Sequence, residues 1–237
     1  MLIGGLQKIS LIDYPDKVSA VVFTQGCNFR CPYCHNWGLV LPSDRPVFLD
    51  EGEVFNFLDK RKGLVDAVCI TGGEPTLQQD LGVFVEKVKK LGFLVKLDTN
   101  GSRPGVVREL LDQNLLDYLA LDVKAPLDNG SYRKVVNADM DVAEIVKTLR
   151  LLAGADISWE VRTTIVPTLL GLDSLVDMAN QIRPFMNKHF VGWSLQQFRP
   201  KSCLNRKFEK IRPYSEENLR QILSEGKKIV PLIKLRI

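Results

Sequence analysis

Apolar positions along the chain fall into two patterns. Short, nearly continuous apolar runs at Val18 to Thr24, Val65 to Thr71, Phe93 to Asp98, Asp117 to Val123, Ile157 to Val166 and Phe190 to Leu195 have the character of strands covered on both faces. Between them, Glu51 to Lys62, Leu81 to Leu91, Val106 to Leu115, Asp141 to Ala153 and Leu172 to Ile182 read as amphipathic helices. A last helix is predicted over Glu216 to Lys228, with Ser215 as N-cap and Glu216 and Glu217 in its first turn. Strands alternating with helices imply an α/β fold with a parallel sheet. Periodicity leaves open whether that sheet closes as a barrel or stays open and doubly wound.

Both architectures place ligands at the carboxyl ends of the strands. Thr24-Gln25-Gly26-Cys27, Thr71-Gly72-Gly73-Glu74-Pro75, Asp98-Thr99-Asn100-Gly101, Asp122-Val123-Lys124 and Arg162-Thr163-Thr164 all sit late in a predicted strand or just after one. Five polar motifs at strand ends predict one shared site.

Composition narrows the class. With 45% hydrophobic and 25% charged residues over 237 positions, the chain is expected to be an ordinary globular protein with one substantial core. A single domain over 1–237 is expected, with 1–17 as an N-terminal extension. No apolar run approaches the roughly 18 to 20 residues of a membrane span, and the first residues lack a signal-peptide layout. A cytoplasmic location with no membrane partner is therefore expected. The net charge of +4 is modest and its lysines and arginines are dispersed, so a nucleic-acid partner is not indicated.

Five cysteines, three of them within eight residues, argue against a disulfide framework and for a reducing compartment with a metal site. The loop Gly26-Cys27-Asn28-Phe29-Arg30-Cys31-Pro32-Tyr33-Cys34-His35-Asn36 has C-x3-C-x2-C spacing. Three thiolates on one loop can hold three corners of a 4Fe–4S cubane, whose irons ordinarily take four cysteines in all, so one iron is left open. A Cys3His zinc site using His35 is the structural alternative. His35 adjoins Cys34, which makes a shared tetrahedron awkward, and zinc ligands usually come in two separated pairs. Cys69 reads as a small buried hydrophobe, Cys203 as a late-loop cysteine that is no second-cluster ligand, and His189 as structural.

The C-x3-C-x-aromatic-C loop resembles the signature of the radical S-adenosylmethionine superfamily. The longer string from Tyr14-Pro15-Asp16-Lys17 through Gln25 to Asn36 is similar to activating enzymes of glycyl-radical enzymes, and the likeness runs through most of the chain before weakening after about Gln197. The resemblance implies a partial (β/α)6 TIM-like barrel with parallel strands, with about 197–237 as the less certain segment. It implies a 4Fe–4S cluster on Cys27, Cys31 and Cys34, and S-adenosylmethionine on the open iron.

Roles for other residues follow from the same resemblance. Gly72, Gly73 and Glu74 would hold the cofactor's amino group, although a bare GGEP is equally a turn. Asp98, Thr99, Asn100 and Asp122 would form a polar floor in which Asp98, Thr99 and Asp122 can bind a monovalent cation. Lys124 would lie near the cofactor carboxylate or the substrate, Arg162 would contact the cofactor, and Tyr33 would pack beside the adenine. An ion pair of Arg162 with Glu160 is the lesser expectation, on the ground that strand neighbours point apart. Pyruvate formate-lyase activating enzymes carry a cofactor-contacting histidine after the last strand, where this chain reads Gln196-Gln197-Phe198-Arg199-Pro200. Gln196 is the candidate replacement.

The implied activity is that of an anaerobic oxidoreductase. It would cleave S-adenosylmethionine reductively and take the alpha hydrogen of a glycine in a glycyl-radical enzyme such as anaerobic ribonucleotide reductase. A flavodoxin or ferredoxin type protein would donate the electron. The alternatives are a radical enzyme acting on a small molecule or modified nucleoside, and a non-catalytic zinc-binding module.

Overall fold

The computed structural model describes residues 1–41 and 48–236. They belong to two compact units, one built from Met1–Asn28, Asn36–Thr99 and Gly105–Ala120, the other from Phe29–His35, Asn100–Pro104 and the chain from Leu121 onward.

In the first unit, β1 (Ile3–Ser10) runs antiparallel to β2 (Ser19–Thr24), and β2 pairs in parallel with a later strand, β3 (Ala67–Gly72). The chain between them carries the short α1 (Trp37–Val40) and α2 (Glu51–Asp59). After α3 (Leu81–Lys90), β4 (Leu94–Thr99) adds in parallel to β3, and α4 (Pro104–Asp112) leads to β5 (Tyr118–Asp122), whose last two residues belong to the second unit. The β2–β3 register pairs Ser19 with Ala67 through to Thr24 with Gly72, so the ends of the two strands that carry the first two motifs lie side by side. α2 starts where Asp50 accepts a hydrogen bond from Gly52 N at 2.7 Å, an N-cap followed by Glu51 and Glu53 in the first turn. α3 buries Leu81, Phe84, Val85 and Val88 and ends on Lys87, Lys89 and Lys90, which suits the negative end of its dipole.

The second unit continues with α5 (Asn129–Val136), α6 (Ala143–Gly154), β6 (Ser158–Ile165), α7 (Leu172–Ile182), β7 (Phe190–Gln197), α8 (Glu216–Ile229) and β8 (Ile233–Arg236). β6, β7 and β8 are parallel neighbours in that order. Its core contains Tyr132, Trp159 and Trp193, all fully buried. Burial of an indole requires a partner for its N–H. Trp159 donates to Asn187 Oδ1 at 3.0 Å and Trp193 to Thr163 Oγ1 at 2.9 Å.

Every predicted strand is present within one or two residues of its expected ends, and α7 begins and ends where the periodicity placed it. Four of these elements were not predicted: β1, inside the expected N-terminal extension, the short α1, then α5 and β8. Among the described residues no helix is long and apolar enough to cross a membrane.

Candidate functional site

The first unit pins the start of the cysteine loop. Gly73 N donates to Thr24 O at 2.9 Å, Glu74 N to Gly26 O at 2.8 Å, and Gly26 N to Leu39 O at 2.6 Å, while Gln78 Nε2 reaches Gln25 O at 2.8 Å. The two glycines of the GGEP turn make this possible. Gly72 sits at φ +114, and a Cβ on Gly73 would stand 1.9 Å from Gly26 O, closer than any side chain can come. The close approach seen here is of one backbone to another, the turn after β3 lying directly against the residues before Cys27.

Glu74 is 1% exposed and its carboxylate is held in place. Oε1 accepts from Thr76 N at 3.1 Å, Thr76 Oγ1 at 2.6 Å and Thr99 Oγ1 at 2.7 Å. Thr99 therefore serves Glu74, and its neighbour Asp98 forms an ion pair with Lys96, two residues back on β4 and so on the same face. Lys96 was not among the predicted site residues. Cys69 in β3 is fully buried, and burial pushes its thiol up to about 12, in keeping with the reading as a small core residue.

In the second unit, Cys31 and Cys34 close a turn through Cys34 N and Cys31 O at 3.0 Å. Three main-chain bonds fix that turn: Arg30 N to Val136 O at 2.8 Å, Asn205 N to Pro32 O at 2.9 Å and Leu204 N to Cys34 O at 3.0 Å. Phe29 meets the ring of Tyr132 edge-on at 6.4 Å. Tyr33 is buried beside Cys31, and burial raises its hydroxyl well above the usual tyrosine range, with the Cys31 thiolate adding to the effect.

Asp122, at the end of β5, gathers two cations. Its Oδ2 lies 3.2 Å from Lys124 Nζ and its Oδ1 3.2 Å from Arg162 Nε. Burial pushes the Asp122 carboxyl up, but Lys124 and Arg162 outweigh it and hold the carboxyl below its ordinary value. Burial likewise opposes the charge on Lys124, yet Asp122, Cys31 and Tyr33 raise the amine well above the usual lysine range. Lys124 and Arg162 thus both face the Asp122 carboxylate.

Glu160 accepts from Ser194 Oγ at 3.0 Å. Residues two apart on a strand share a face, so Glu160 and Arg162 do not point apart as expected; Glu160 meets Ser194 and Arg162 meets Asp122. Asn100 accepts from Ser102 N at 2.9 Å, and Thr148 Oγ1 donates to Gly101 O at 2.7 Å, so Asn100-Gly101 is a braced turn. Gln196 is exposed at the end of β7. His189 bonds through its backbone, its carbonyl accepting from Trp159 N at 3.1 Å and its amide donating to Asn187 Oδ1 at 3.0 Å.

The sulfur donors fit an iron–sulfur cluster. None of the five cysteines is joined in a disulfide, and thiolates are soft donors suited to iron in a cubane. Among the described residues no three His, Cys, Asp or Glu side chains are gathered tightly enough to hold a single metal ion. His35 meanwhile stacks on Phe198 and sets its Nε2 2.7 Å from Arg199 O.

Comparison with known proteins agrees with this chemistry. The family model described as Radical SAM superfamily matches residues 21–180. A Methanocaldococcus jannaschii protein, provisionally named a glycyl-radical enzyme activating enzyme, is 37% identical over 99% of this chain and 95% of its own. A pyruvate formate-lyase-activating enzyme of Clostridium pasteurianum is 28% identical over 78% of this chain and 77% of its own. A Thermococcus kodakarensis protein named a probable GTP 3′,8-cyclase is 29% identical over 50% of this chain and 38% of its own. Among solved structures, Streptococcus suis SuiB bound to S-adenosylmethionine superposes with a TM-score of 0.66 at 15% identity, over 91% of this chain and 49% of that one. A domain of a Bacteroides vulgatus pyruvate-formate lyase-activating enzyme gives 0.58 at 18% identity, over 73% and 99%. The α/β fold with parallel strands expected from the resemblance is borne out.

Proposed function

Because the chain belongs to the Radical SAM superfamily, we propose that it is a cytoplasmic activating enzyme that installs a glycyl radical in a partner protein, with anaerobic ribonucleoside-triphosphate reductase as the partner and a flavodoxin or ferredoxin as electron donor. The observation that carries the reading is the cysteine loop, with three sulfur donors in eight residues and a turn that the main chain fixes through Val136, Leu204 and Asn205.

Cys27, Cys31 and Cys34 hold the 4Fe–4S cluster in this reading. When bound, the cluster would supply the electron for reductive cleavage of S-adenosylmethionine. The chain's own residues bind and orient. Glu74, fixed by Thr76 and Thr99, accepts from the cofactor ammonium, with Gly72 and Gly73 setting the turn that carries it. Lys124 and Arg162, the two cations on Asp122, meet its carboxylate, and Asn100 extends the polar floor. Tyr33 packs beside the adenine.

The test is anaerobic reconstitution of the cluster, followed by incubation with reductant, cofactor and a candidate glycyl-radical enzyme. A glycyl radical in the electron paramagnetic resonance spectrum of the partner is the expected result. Silence from every glycyl-radical partner, with turnover of a small molecule instead, would move the function to the second reading. The likeness over half of the chain to a protein named as a GTP cyclase is what favours that alternative.

A further inference from the structure

The expectation of a monovalent cation on Asp98, Thr99 and Asp122 does not fit their surroundings. Asp98 is 7% exposed and Lys96 1%, and the Lys96 ammonium sits on Asp98 Oδ1. The same Nζ lies 5.6 Å from the centre of the Tyr118 ring, which is itself packed against Tyr14 at 5.6 Å. Thr99 donates a hydrogen bond to Glu74, and Asp122 is ion-paired with Lys124 and Arg162. Both carboxylates that would serve a metal ion thus already face protein cations, which carry the positive charge that an ion would bring.

We propose that Lys96 is the built-in counter-cation of Asp98, and that this chain binds no monovalent metal ion at that carboxylate. A buried carboxylate needs a compensating charge, and an ammonium group and a potassium or ammonium ion compete for the same oxygen lone pairs. With Lys96 in place, a second cation at Oδ1 would face repulsion strengthened by the low local dielectric. The aromatic face of Tyr118 favours a cation and so holds the ammonium inside. The arrangement follows from β4 itself, because positions 96 and 98 share one face of the strand.

The test uses reconstituted holoenzyme in KCl, NaCl, NH4Cl and choline chloride at one ionic strength, which keeps screening constant. Two readouts are taken: the rate of S-adenosylmethionine cleavage and the thermal midpoint. For the wild type, rates in the four salts should agree within about twofold and the midpoints should coincide. K96M should melt lower in choline chloride and regain stability in KCl or NH4Cl, with a rate at least about fivefold higher there than in choline chloride. A wild-type rate or midpoint that collapses in choline chloride overturns the proposal, and so does a K96M chain whose midpoint ignores the ions. If K96M does not fold, K96M/D98N decides. Folding restored by removing both charges supports the pair, and a double variant that also fails overturns it. The midpoint involves neither a partner protein nor a radical, so failure here is distinct from failure of the activation reading.

Discussion

Thr99, at the end of β4, donates its hydroxyl to Glu74 in the turn after β3 at 2.7 Å, joining two strand-end motifs through one buried hydrogen bond. Thr76 completes the clasp from the other side. A carboxylate restrained in this way keeps one orientation, which is what binding a ligand ammonium would require. Thr99→Val keeps the shape and removes the donor. It should cost about 1.5 to 3 kcal/mol in equilibrium unfolding and weaken S-adenosylmethionine binding about tenfold, measured by calorimetry on the reconstituted enzyme.

Gly73→Ala tests the backbone contact beside the cysteine loop. The new Cβ would stand 1.9 Å from Gly26 O, and neither backbone can yield without breaking the bond between Glu74 N and Gly26 O. A loss of about 3 kcal/mol or more is expected, with reduced iron per chain after reconstitution. Unchanged stability would show that the two segments are not locked together.

The cluster around Asp122 sets a direction of pH dependence. Its carboxyl is held below the ordinary value by Lys124 and Arg162, so the native state binds this proton less readily than the unfolded chain does. Stability from the pair is present above the ordinary carboxylate range and is lost as pH falls through the depressed native value. In Asp122→Asn this contribution is absent, and the acid limb of a stability–pH curve should be shallower than in the wild type. Lys124, raised in the folded state, adds the opposite edge: its contribution is present below the ordinary lysine value and fades as pH climbs through the raised one.

Cysteine substitutions separate ligand from core. Cys31→Ala should abolish both bound iron and S-adenosylmethionine cleavage. Cys69→Ala, in the middle of β3 with its thiol pushed up to about 12 by burial, and Cys203→Ala should retain full iron content and the brown colour of the cluster. Iron analysis and visible absorbance decide. A cluster that survives in Cys31→Ala would remove the basis of the ligand assignment.

Much of this was legible before the structure. The buried parallel strands announce themselves as apolar runs, and α8 begins at Ser215, whose hydroxyl accepts from Asn218 N at 3.2 Å, as the cap pattern implied. What escaped did so for physical reasons. β1 reads Ile3-Gly4-Gly5-Leu6-Gln7-Lys8-Ile9-Ser10, and paired glycines without strict alternation hide a strand. α5 lies in Asp128-Asn129-Gly130-Ser131, a turn-like string, and forms because Asp128 accepts from Ser131 N while Asn137 ends the helix at φ +48. Only Tyr132, Val135 and Val136 supply its buried face. Lys96 carried the same signal as Arg162, a cation within an apolar strand, and its partner two residues on could have been read from the alternation of faces. The turn between Cys31 and Cys34 depends on residues about 170 positions away in sequence, which local patterning does not reach.

That distant clasp bears on how freely the chain's last stretch can vary. Leu204 and Asn205 brace the sulfur loop through amide N–H groups, and every amino acid except proline offers the same donor. Side chains at positions 204 and 205 can therefore change while the main-chain brace on the loop is kept. Proline at 204 or 205 removes the donor and is the substitution the loop does not tolerate.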